Sequence, residues 1–243
     1  MWIHSGEEWG IDPFTSAERI ATQSRGGYCY HLNGAFGLLL RSLGYVVTDH
    51  VGGVHGPEGH SAASIGNHLV LTVSDLPSDE NPPGVWYVDV GLGDALYQAL
   101  PLLPGTYQQE PFSLMLESGG QEWHLTHDPT GGFVGMRWTT AGASNYDFTA
   151  KNKLLSTSPT SGFVQIAMAE RRDATGVDVV RGLVASRIGK GAQIGDAINN
   201  RVECFALLAD LFDLHFHASP PATKDRLWDR VCAQHQVWQA AQL

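Results

Sequence analysis

The sequence is poor in cysteine, in positive charge and in long apolar runs. Its three cysteines include no Cys-x-x-Cys pair, which argues against a disulfide framework and a structural zinc site and is typical of a reducing compartment. There is no run of about 18 apolar residues, and the first residues resemble neither the basic nor the apolar part of a signal peptide. These absences predict a cytoplasmic protein that does not enter the membrane.

Basic residues are outnumbered by acidic ones. Lys and Arg total 15 against 25 Asp and Glu, which gives a formal net charge of −10. A nucleic-acid groove would have to form against this overall field, and the adjacent pair Arg171-Arg172 is more typical of a solvated turn. We therefore expect no nucleic-acid partner. The 43% hydrophobic content over 243 residues is ordinary for a globular protein with a substantial core.

The first part of the chain has two helix signals. Asp12 is placed as an N-cap before Pro13, a residue favoured at the first helical position. A second helix is predicted to begin near Cys29 and to stop at Gly44. Its apolar residues recur at helical spacing and predict a buried face: Leu32, Ala35, Phe36, Leu39, Leu40 and Leu43. Cys29 is therefore expected in the first turn of a helix.

The middle and the end of the chain have different patterns. Six short runs separated by Gly- and Pro-rich turns predict antiparallel strands of a closed or strongly curved sheet: YVVTDHVGGV, NHLVLTVSDL, VWYVDVGLG, FSLMLES, EWHLTH and FVGMRWTT. Two more strands are predicted in GFVQIAMAER and VVRGLVASRI, and helices follow around 204–211 and 227–231. The class is α+β. We predict three domains: a helical one over 1–45, a β-barrel over 46–160 and an α/β domain over 161–243.

Cys29 is the candidate nucleophile. The start of a helix favours the thiolate because unpaired N–H groups and the helix dipole attract negative charge. The preceding Gly26-Gly27 pair allows backbone or ligand to come close. Cys204 and Cys232 lie instead within apolar helical patterns, which favours small core residues.

His68 and Asp89 are the candidate partners of Cys29. His68 opens the apolar run HLVLTV at a junction between loop and strand, and Asp89 lies among apolar neighbours, where an unpaired carboxylate would be costly. Taken alone, a histidine at a strand start is more often a structural hydrogen-bonding residue. Two strands of one sheet would bring both side chains to the helix start, so a Cys-His-Asp triad is the economical hypothesis.

Four separated motifs resemble the arylamine N-acetyltransferase family, which includes related amide synthases of secondary metabolism. They are RGGYCYHLNG, HLVLTV, VDVGLGD followed by LPLLPG, and STSPTSGF. The resemblance implies a helical domain, a β-barrel, an α/β lid and a cysteine-protease-like core. It also implies that Cys29 is the nucleophile, His68 its base and Asp89 the orienting acid.

The resemblance further implies a ping-pong acyl transfer. A thioester donor, usually acetyl-CoA, acylates the cysteine, and an aromatic amine or hydrazine then takes the acyl group. Backbone N–H groups around Cys29 are the expected oxyanion donors. The family's cleft would be bordered by Tyr28, Gly66, Leu92 and Gly93, although ordinary packing roles explain these residues equally well.

The chain departs from the family pattern in two places. The family usually has a glutamate two residues after the cysteine, near the arginine of the Arg-Gly-Gly element, whereas His31 stands there in this chain. Arg25 must therefore find another partner, and His31 is a less favoured alternative base. The family also has further residues before its cysteine, so the helical domain is expected to be shortened at its N terminus.

Other functions remain open at this point. An amide synthase would take its acyl chain from an acyl carrier protein, a thiol hydrolase would release it to water, and a degenerate binding module would do neither. Gly91-Leu92-Gly93 lacks the third glycine of a dinucleotide fingerprint. His55, His60 and His68 with Glu58 lack a defensible ligand spacing, so no metal is expected.

Overall fold

The computed structural model describes residues 1–217 and 219–240. The chain forms two compact units that interleave along the sequence. The first unit comprises residues 1–10, 18–27 and 153 onwards, and the second comprises 11–17 and 28–152. The three-domain division with boundaries near 46 and 160 stays a prediction.

Both N-terminal helices form where the sequence predicts them. Helix α1 spans Pro13–Gln23, and the Oδ1 of Asp12 accepts a hydrogen bond from the amide of Thr15 at 2.8 Å. Helix α2 spans Cys29–Ser42. Gly44 follows it with a φ of +92°, a left-handed conformation that favours glycine.

The predicted buried face of α2 is partly wrong. Leu39 and Leu43 are 53% and 65% exposed. The face that is buried contains Cys29, Asn33 and Gly37 instead. A Cβ on Gly37 would lie 3.0 Å from a guanidinium nitrogen of Arg41 and 3.5 Å, an ordinary contact distance, from Leu71 on the neighbouring sheet. Apolar periodicity could not reveal this, because the contact face is made of small and polar residues.

The second unit contains an eight-stranded, nearly closed antiparallel barrel, which confirms the predicted α+β class. The strand order is β4-β3-β2-β1-β8-β7-β6-β5. The strands are β1 Val46–His55, β2 His68–Ser74, β3 Trp86–Val88, β4 Leu100–Pro101, β5 Gly105–Gln109, β6 Phe112–Ser118, β7 Glu122–Thr126 and β8 Gly135–Thr139. The six predicted strands are present. We missed β4, which has two residues, and β5, whose sequence GTYQQ is polar.

The core of the barrel follows from the alternation of side chains along its strands. Inward residues of adjacent strands form one apolar cluster, each burying nearly its whole side chain: Val70, Tyr87, Leu100, Leu114, Leu116, Leu125, Met136 and Trp138. Burial of a large apolar side chain contributes about 1.5–3 kcal/mol relative to exposure. This cluster therefore gives the strands that border the site a rigid support.

The remaining elements include a second, four-stranded antiparallel sheet of order β12-β11-β10-β9. Its strands are β9 Met168–Arg172, β10 Gly176–Arg181, β11 Val184–Gly189 and β12 Gln193–Ala197, and the helices are α3 Tyr146–Thr157, α4 Gly162–Gln165, α5 Arg201–Phe212 and α6 Pro221–Ala240. No helix within the described ranges is long and apolar enough to span a bilayer.

Two of the predicted strands in this part need correction. The run GFVQIAMAER begins with the short helix α4 and becomes a strand only at Met168. The run VVRGLVASRI is two strands of a hairpin, because Gly182 turns the chain with a φ of +61°. Helix α3 and strand β12 were not predicted. Cys204 is buried in an apolar cluster with Leu208 and Leu227.

Arg25 finds its partner within the first unit. Its guanidinium donates two hydrogen bonds to the carboxylate of Glu7, at 2.8 and 2.7 Å. It also lies 4.9 Å from the ring centroids of both Trp9 and Phe216. The residue that compensates for the absent glutamate is thus Glu7, eighteen positions earlier in the chain.

We predict that Glu7→Gln lowers the free energy of unfolding by about 2 kcal/mol at neutral pH, since it removes charge-assisted hydrogen bonds. Burial raises the pKa of Glu7, but hydrogen bonds from Arg25 and Ser5 hold it below its usual 4.5. The contribution is therefore present above pH 4.5 and is lost as the pH falls through the lower, folded-state pKa.

Urea denaturation of the wild type and the variant at neutral and acid pH measures this difference. The matched control is Glu8→Gln at the exposed neighbouring position, which should change stability little at either pH. Equal losses in the two variants would contradict the pairing.

Candidate active site

Cys29 is the first residue of α2, as predicted. Tyr28 precedes it in an extended conformation, and its amide donates to Nδ1 of His31 at 3.3 Å. The side chain of His31 thus satisfies the amide of the residue that precedes the helix. The thiol of Cys29 is buried and donates to the carbonyl of Asn67 at 3.5 Å. A sulfur at a helix N-terminus is in a position that favours negative charge.

His68 and Asp89 meet at the ends of adjacent strands. His68 begins β2, and Asp89 directly follows β3, which pairs with β2 in antiparallel register. Both side chains are almost completely buried, and Nε2 of His68 lies 2.7 Å from Oδ2 of Asp89. This contact leaves Nδ1 as the ring nitrogen available to Cys29. The structure therefore brings the three predicted residues to one place.

The carboxylate of Asp89 has four hydrogen-bond donors. Its Oδ2 accepts from His68 and from the Tyr87 hydroxyl at 3.0 Å. Its Oδ1 accepts from Nδ2 of Asn33 at 2.9 Å and from the amide of Gly91 at 2.8 Å. A carboxylate has about four lone-pair positions, so all of them are used. The carboxylate is thereby fixed in orientation.

The two buried ionisable groups shift each other's pKa in opposite directions. Burial raises the pKa of Asp89, but the charge and hydrogen bond of His68 and the bond from Asn33 bring it below its usual value. Burial lowers the pKa of His68, but the charges of Asp89 and Cys29, with a hydrogen bond to each, raise it above 6.5. The site favours a protonated imidazole beside a carboxylate.

Asn33 is a site residue that sequence reasoning missed. It is fully buried, donates to the carbonyl of Leu69 at 2.7 Å as well as to Asp89, and accepts from the amide of Val90 at 2.9 Å. One side chain thus joins α2 to β2 and to the chain after β3. The sequence did carry one indication of this role, because Asn33 stands four residues after Cys29 and therefore on the same helical face.

Gly91 is the second missed residue. A Cβ at this position would lie 2.6 Å from the Cα of Cys29 and 3.1 Å from its Cβ. Only glycine lets the loop after β3 pass this close to the cysteine. The sequence indicated a glycine-rich turn here, but the partner that approaches it is distant in sequence.

The predicted binding residues lie in the same unit. Tyr28 is buried, and its hydroxyl donates to the side chain of Asn152. The carbonyl of Gly66, a residue with a φ of +78°, accepts from the hydroxyl of Tyr30. Leu92 packs against the barrel core, and Gly93 has a φ of +70°. Their role in binding stays a prediction.

No metal-binding group is formed by the histidines considered above. His55 and His60 pack edge to face, with ring centroids 6.0 Å apart. Across residues 1–217 and 219–240, no set of three or more His, Cys, Asp or Glu side chains is arranged to hold an ion.

Comparison with known proteins identifies the class first. Residues 1–219 match the family model described as N-acetyltransferase. A chicken (Gallus gallus) arylamine N-acetyltransferase, the pineal gland isozyme, is 34% identical over 128 residues. This match covers 51% of the chain and only 41% of the chicken protein, less than half of its length. Arylamine N-acetyltransferase 1 of rabbit (Oryctolagus cuniculus) is 25% identical over 75% of the chain and 68% of its own length.

The fold agrees with this class. The structure of Mycobacterium marinum arylamine N-acetyltransferase in complex with CoA superposes with a TM-score of 0.81. It is 24% identical, and the match covers 95% of this chain and 84% of that one. The chain belongs to the arylamine N-acetyltransferase family, as its sequence motifs predicted.

We predict that Gly91→Ala destabilises the protein by about 1–3 kcal/mol, because the added methyl group overlaps the backbone of Cys29. The rate at which iodoacetamide alkylates Cys29 should also fall, because the added methyl group displaces the start of α2, which carries the thiol. Urea denaturation and alkylation followed by mass spectrometry measure the two effects. Gly10→Ala is the control, because nothing lies within 4 Å of a Cβ there. A variant as stable and reactive as that control would refute the close approach.

We also predict that Asp89→Asn lowers the pKa of His68. The main attraction that opposes the burial of the imidazolium is removed, so burial then dominates. NMR titration of the His68 ring measures the shift. Tyr87→Phe removes one neutral donor and leaves the carboxylate in place, so it should move the same pKa far less. An unchanged His68 pKa in Asp89→Asn would disprove the electrostatic pairing.

Proposed function

We propose that the chain is an acyltransferase that carries an acyl group on Cys29 from a CoA thioester to an arylamine or hydrazine. The observation that carries this proposal is the buried contact between His68 and Asp89 at 2.7 Å, beside a cysteine at the start of α2 whose thiol donates to the carbonyl of Asn67, the residue before His68. In these roles Cys29 is the nucleophile, His68 the general acid and base, and Asp89 the group that orients and stabilises the imidazolium.

Acylation begins from the ion pair in which the thiol proton of Cys29 lies on Nδ1 of His68, which is the protonated imidazole that the site favours. The thiolate attacks the thioester carbonyl, a carbon–sulfur bond forms, and the bond to the CoA sulfur breaks. The imidazolium returns its proton to the departing CoA thiolate. The backbone amides of Cys29 and Tyr30 lie at the start of α2, ahead of the amide of His31, which donates to the Tyr28 carbonyl at 2.9 Å. They suit the oxyanion of the intermediate.

In the second half-reaction Cys29 is the leaving group, and His68 acts as a base toward the acceptor amine. The nitrogen of the amine attacks the S-acyl carbonyl while His68 removes a proton from it. The bond to Cys29 then breaks, the amide leaves, and the proton on His68 neutralises the thiolate. Each substrate reacts with the enzyme in turn, which is a ping-pong mechanism. Asp89 stays ionised throughout because its four donors stabilise the carboxylate.

Acetyl-CoA is the donor that we propose. The Mycobacterium marinum relative was solved in complex with CoA, and a thiol ester exchanges readily with a thiolate. Tyr28, Gly66, Leu92 and Gly93 are proposed to border the donor and acceptor positions. A small-molecule amine or hydrazine is the proposed acceptor, and a reducing cytoplasmic setting would keep Cys29 as a free thiol.

Intact-mass measurement tests the first half-reaction. Brief exposure of the protein to acetyl-CoA without amine should add one acetyl group. Cys29→Ala should add none, while Cys232→Ala, which removes a thiol outside the site, should be acetylated like the wild type. Addition of an arylamine or hydrazide should then remove the acetyl group and yield the amide.

The outcomes separate the alternative functions. Loss of the acetyl group in water at the same rate with and without amine would indicate a thiol hydrolase instead. Absence of an adduct from acetyl-CoA, together with acylation by an acyl carrier protein, would indicate an amide synthase. Acetylation that persists in Cys29→Ala would refute the proposed nucleophile.

A further inference from the structure

The barrel contains a second buried histidine–carboxylate pair that the proposed mechanism does not use. His127 follows β7, and Asp94 lies three residues after Gly91. Nε2 of His127 is 3.6 Å from Oδ1 of Asp94, and the two side chains are 0% and 4% exposed. An ionised carboxylate this deeply buried is costly unless a positive charge compensates it.

The ring of His127 is enclosed by its surroundings. Phe112 and Phe133 pack against it in edge-to-face geometry, with centroids 4.8 and 4.4 Å away. A Cβ on Gly131 would lie 2.2 Å from the ring. The turn between β7 and β8 therefore needs glycine at this position to close over the imidazole. The ring is held in one orientation, shielded from water.

Both ring nitrogens of His127 face hydrogen-bond acceptors. Nδ1 lies 3.1 Å from the carbonyl oxygen of Asp128. Nε2 is buried without a hydrogen-bond partner among the described residues and faces the Asp94 carboxylate at 3.6 Å, the distance of an ion pair rather than of a hydrogen bond. A neutral imidazole has one N–H and would point a lone pair at one of these oxygens. The carboxylate of Asp128 also lies near the ring, and hydrogen bonds from Thr130 hold its pKa below its usual value. An acceptor oxygen therefore stands opposite each ring nitrogen of His127.

Asp94 tethers the middle of the loop that follows β3. Its Oδ2 accepts from the amide of Gly132 at 2.6 Å, so both of its oxygens face the β7–β8 turn. On one side of Asp94 the loop is held by the bond from the Gly91 amide to Asp89. On the other side, the amides of Tyr97 and Gln98 both donate to Oε1 of Gln109 on β5. Leu92 packs against the barrel core, and Asp94 then adds polar contacts between the loop and the β7–β8 turn.

We propose that His127 is a positioning residue for the reaction at Cys29. Its imidazolium clamps Asp94, and the clamp keeps Gly91 in close contact with the backbone of Cys29. This inference rests on the proposed role of Cys29 as the acyl acceptor. Loss of the clamp should disturb the approach of a thioester to the sulfur more than it disturbs the thiol itself.

The charge state of the clamp can be tested without any substrate. NMR of protein labelled with ¹⁵N at histidine should show two protonated ring nitrogens for His127 at neutral pH, with assignment by loss of the signal in His127→Gln. A neutral His127 ring would overturn the clamp. His127→Gln and Asp94→Asn should each lower the unfolding temperature more than the double variant does, because each single change leaves one unpaired buried group.

The positioning role is tested by two rates on Cys29. His127→Gln and Asp94→Asn should each slow acylation by acetyl-CoA by about tenfold or more, while alkylation by iodoacetamide changes by less than about threefold. The double variant, whose neutral amides can hydrogen-bond each other, should recover acylation to within about threefold of the wild type.

His50→Gln is the matched control. His50 is also buried, but it contacts the neutral hydroxyl of Thr72 and the carbonyl of Ala141. The His50→Gln variant should be less stable than the wild type, but its ratio of acylation rate to alkylation rate should be unchanged. Single clamp variants that acylate at the wild-type rate would overturn the positioning role. A wild type that takes no acetyl group from acetyl-CoA would instead refute the proposed function. The NMR experiment needs no substrate, so it would still show whether His127 is charged as the clamp requires.

Discussion

The burial of one carboxylate, that of Asp89, is the constraint on which the candidate site depends. A charge in the interior persists only when donors replace the water that it loses. Here the donors come from α2, from β2, from β3 and from the loop after β3. Each donor that stabilises the carboxylate therefore also fixes one wall of the site. The same contacts that make the charge tolerable determine where the imidazole of His68 stands.

The second requirement is close approach between backbones. The tightest approach at the site is made by Gly91, which brings the loop after β3 against Cys29, while Gly37 faces Leu71 of β2 across an ordinary contact distance. A side chain at Gly91 would push the loop that follows Asp89 away from the start of α2. The small residues act together with the polar contacts, because hydrogen bonds near 2.8 Å hold only when the backbone can come close enough.

Much of this could be predicted from the sequence, and the exceptions have physical causes. Period-two alternation indicated the long strands, and Asp12 with Pro13 marked the start of α1. The strand β5 was missed because GTYQQ carries no apolar pattern, and the exposed Leu39 was assigned to the core because periodicity does not reveal which helix face meets a partner. Cys29, His68 and Asp89 could be selected from local context and resemblance. Gly91 and Glu7 could not, because their importance lies in contacts with residues far away in the chain. Asn33 lies on the helical face of Cys29, which was a usable signal, but its partners near β2 and β3 were not visible in the sequence.

The interleaving of the two compact units has a consequence for how such a protein can be altered. The chain passes between the units at four places, so neither unit is a continuous stretch of sequence. A single cut or a single recombination junction cannot release or exchange either unit intact. Replacement of one unit by a homologous one would require several coordinated junctions. Change in this architecture is therefore expected to proceed by substitution of residues and by variation of loops, rather than by shuffling of whole modules.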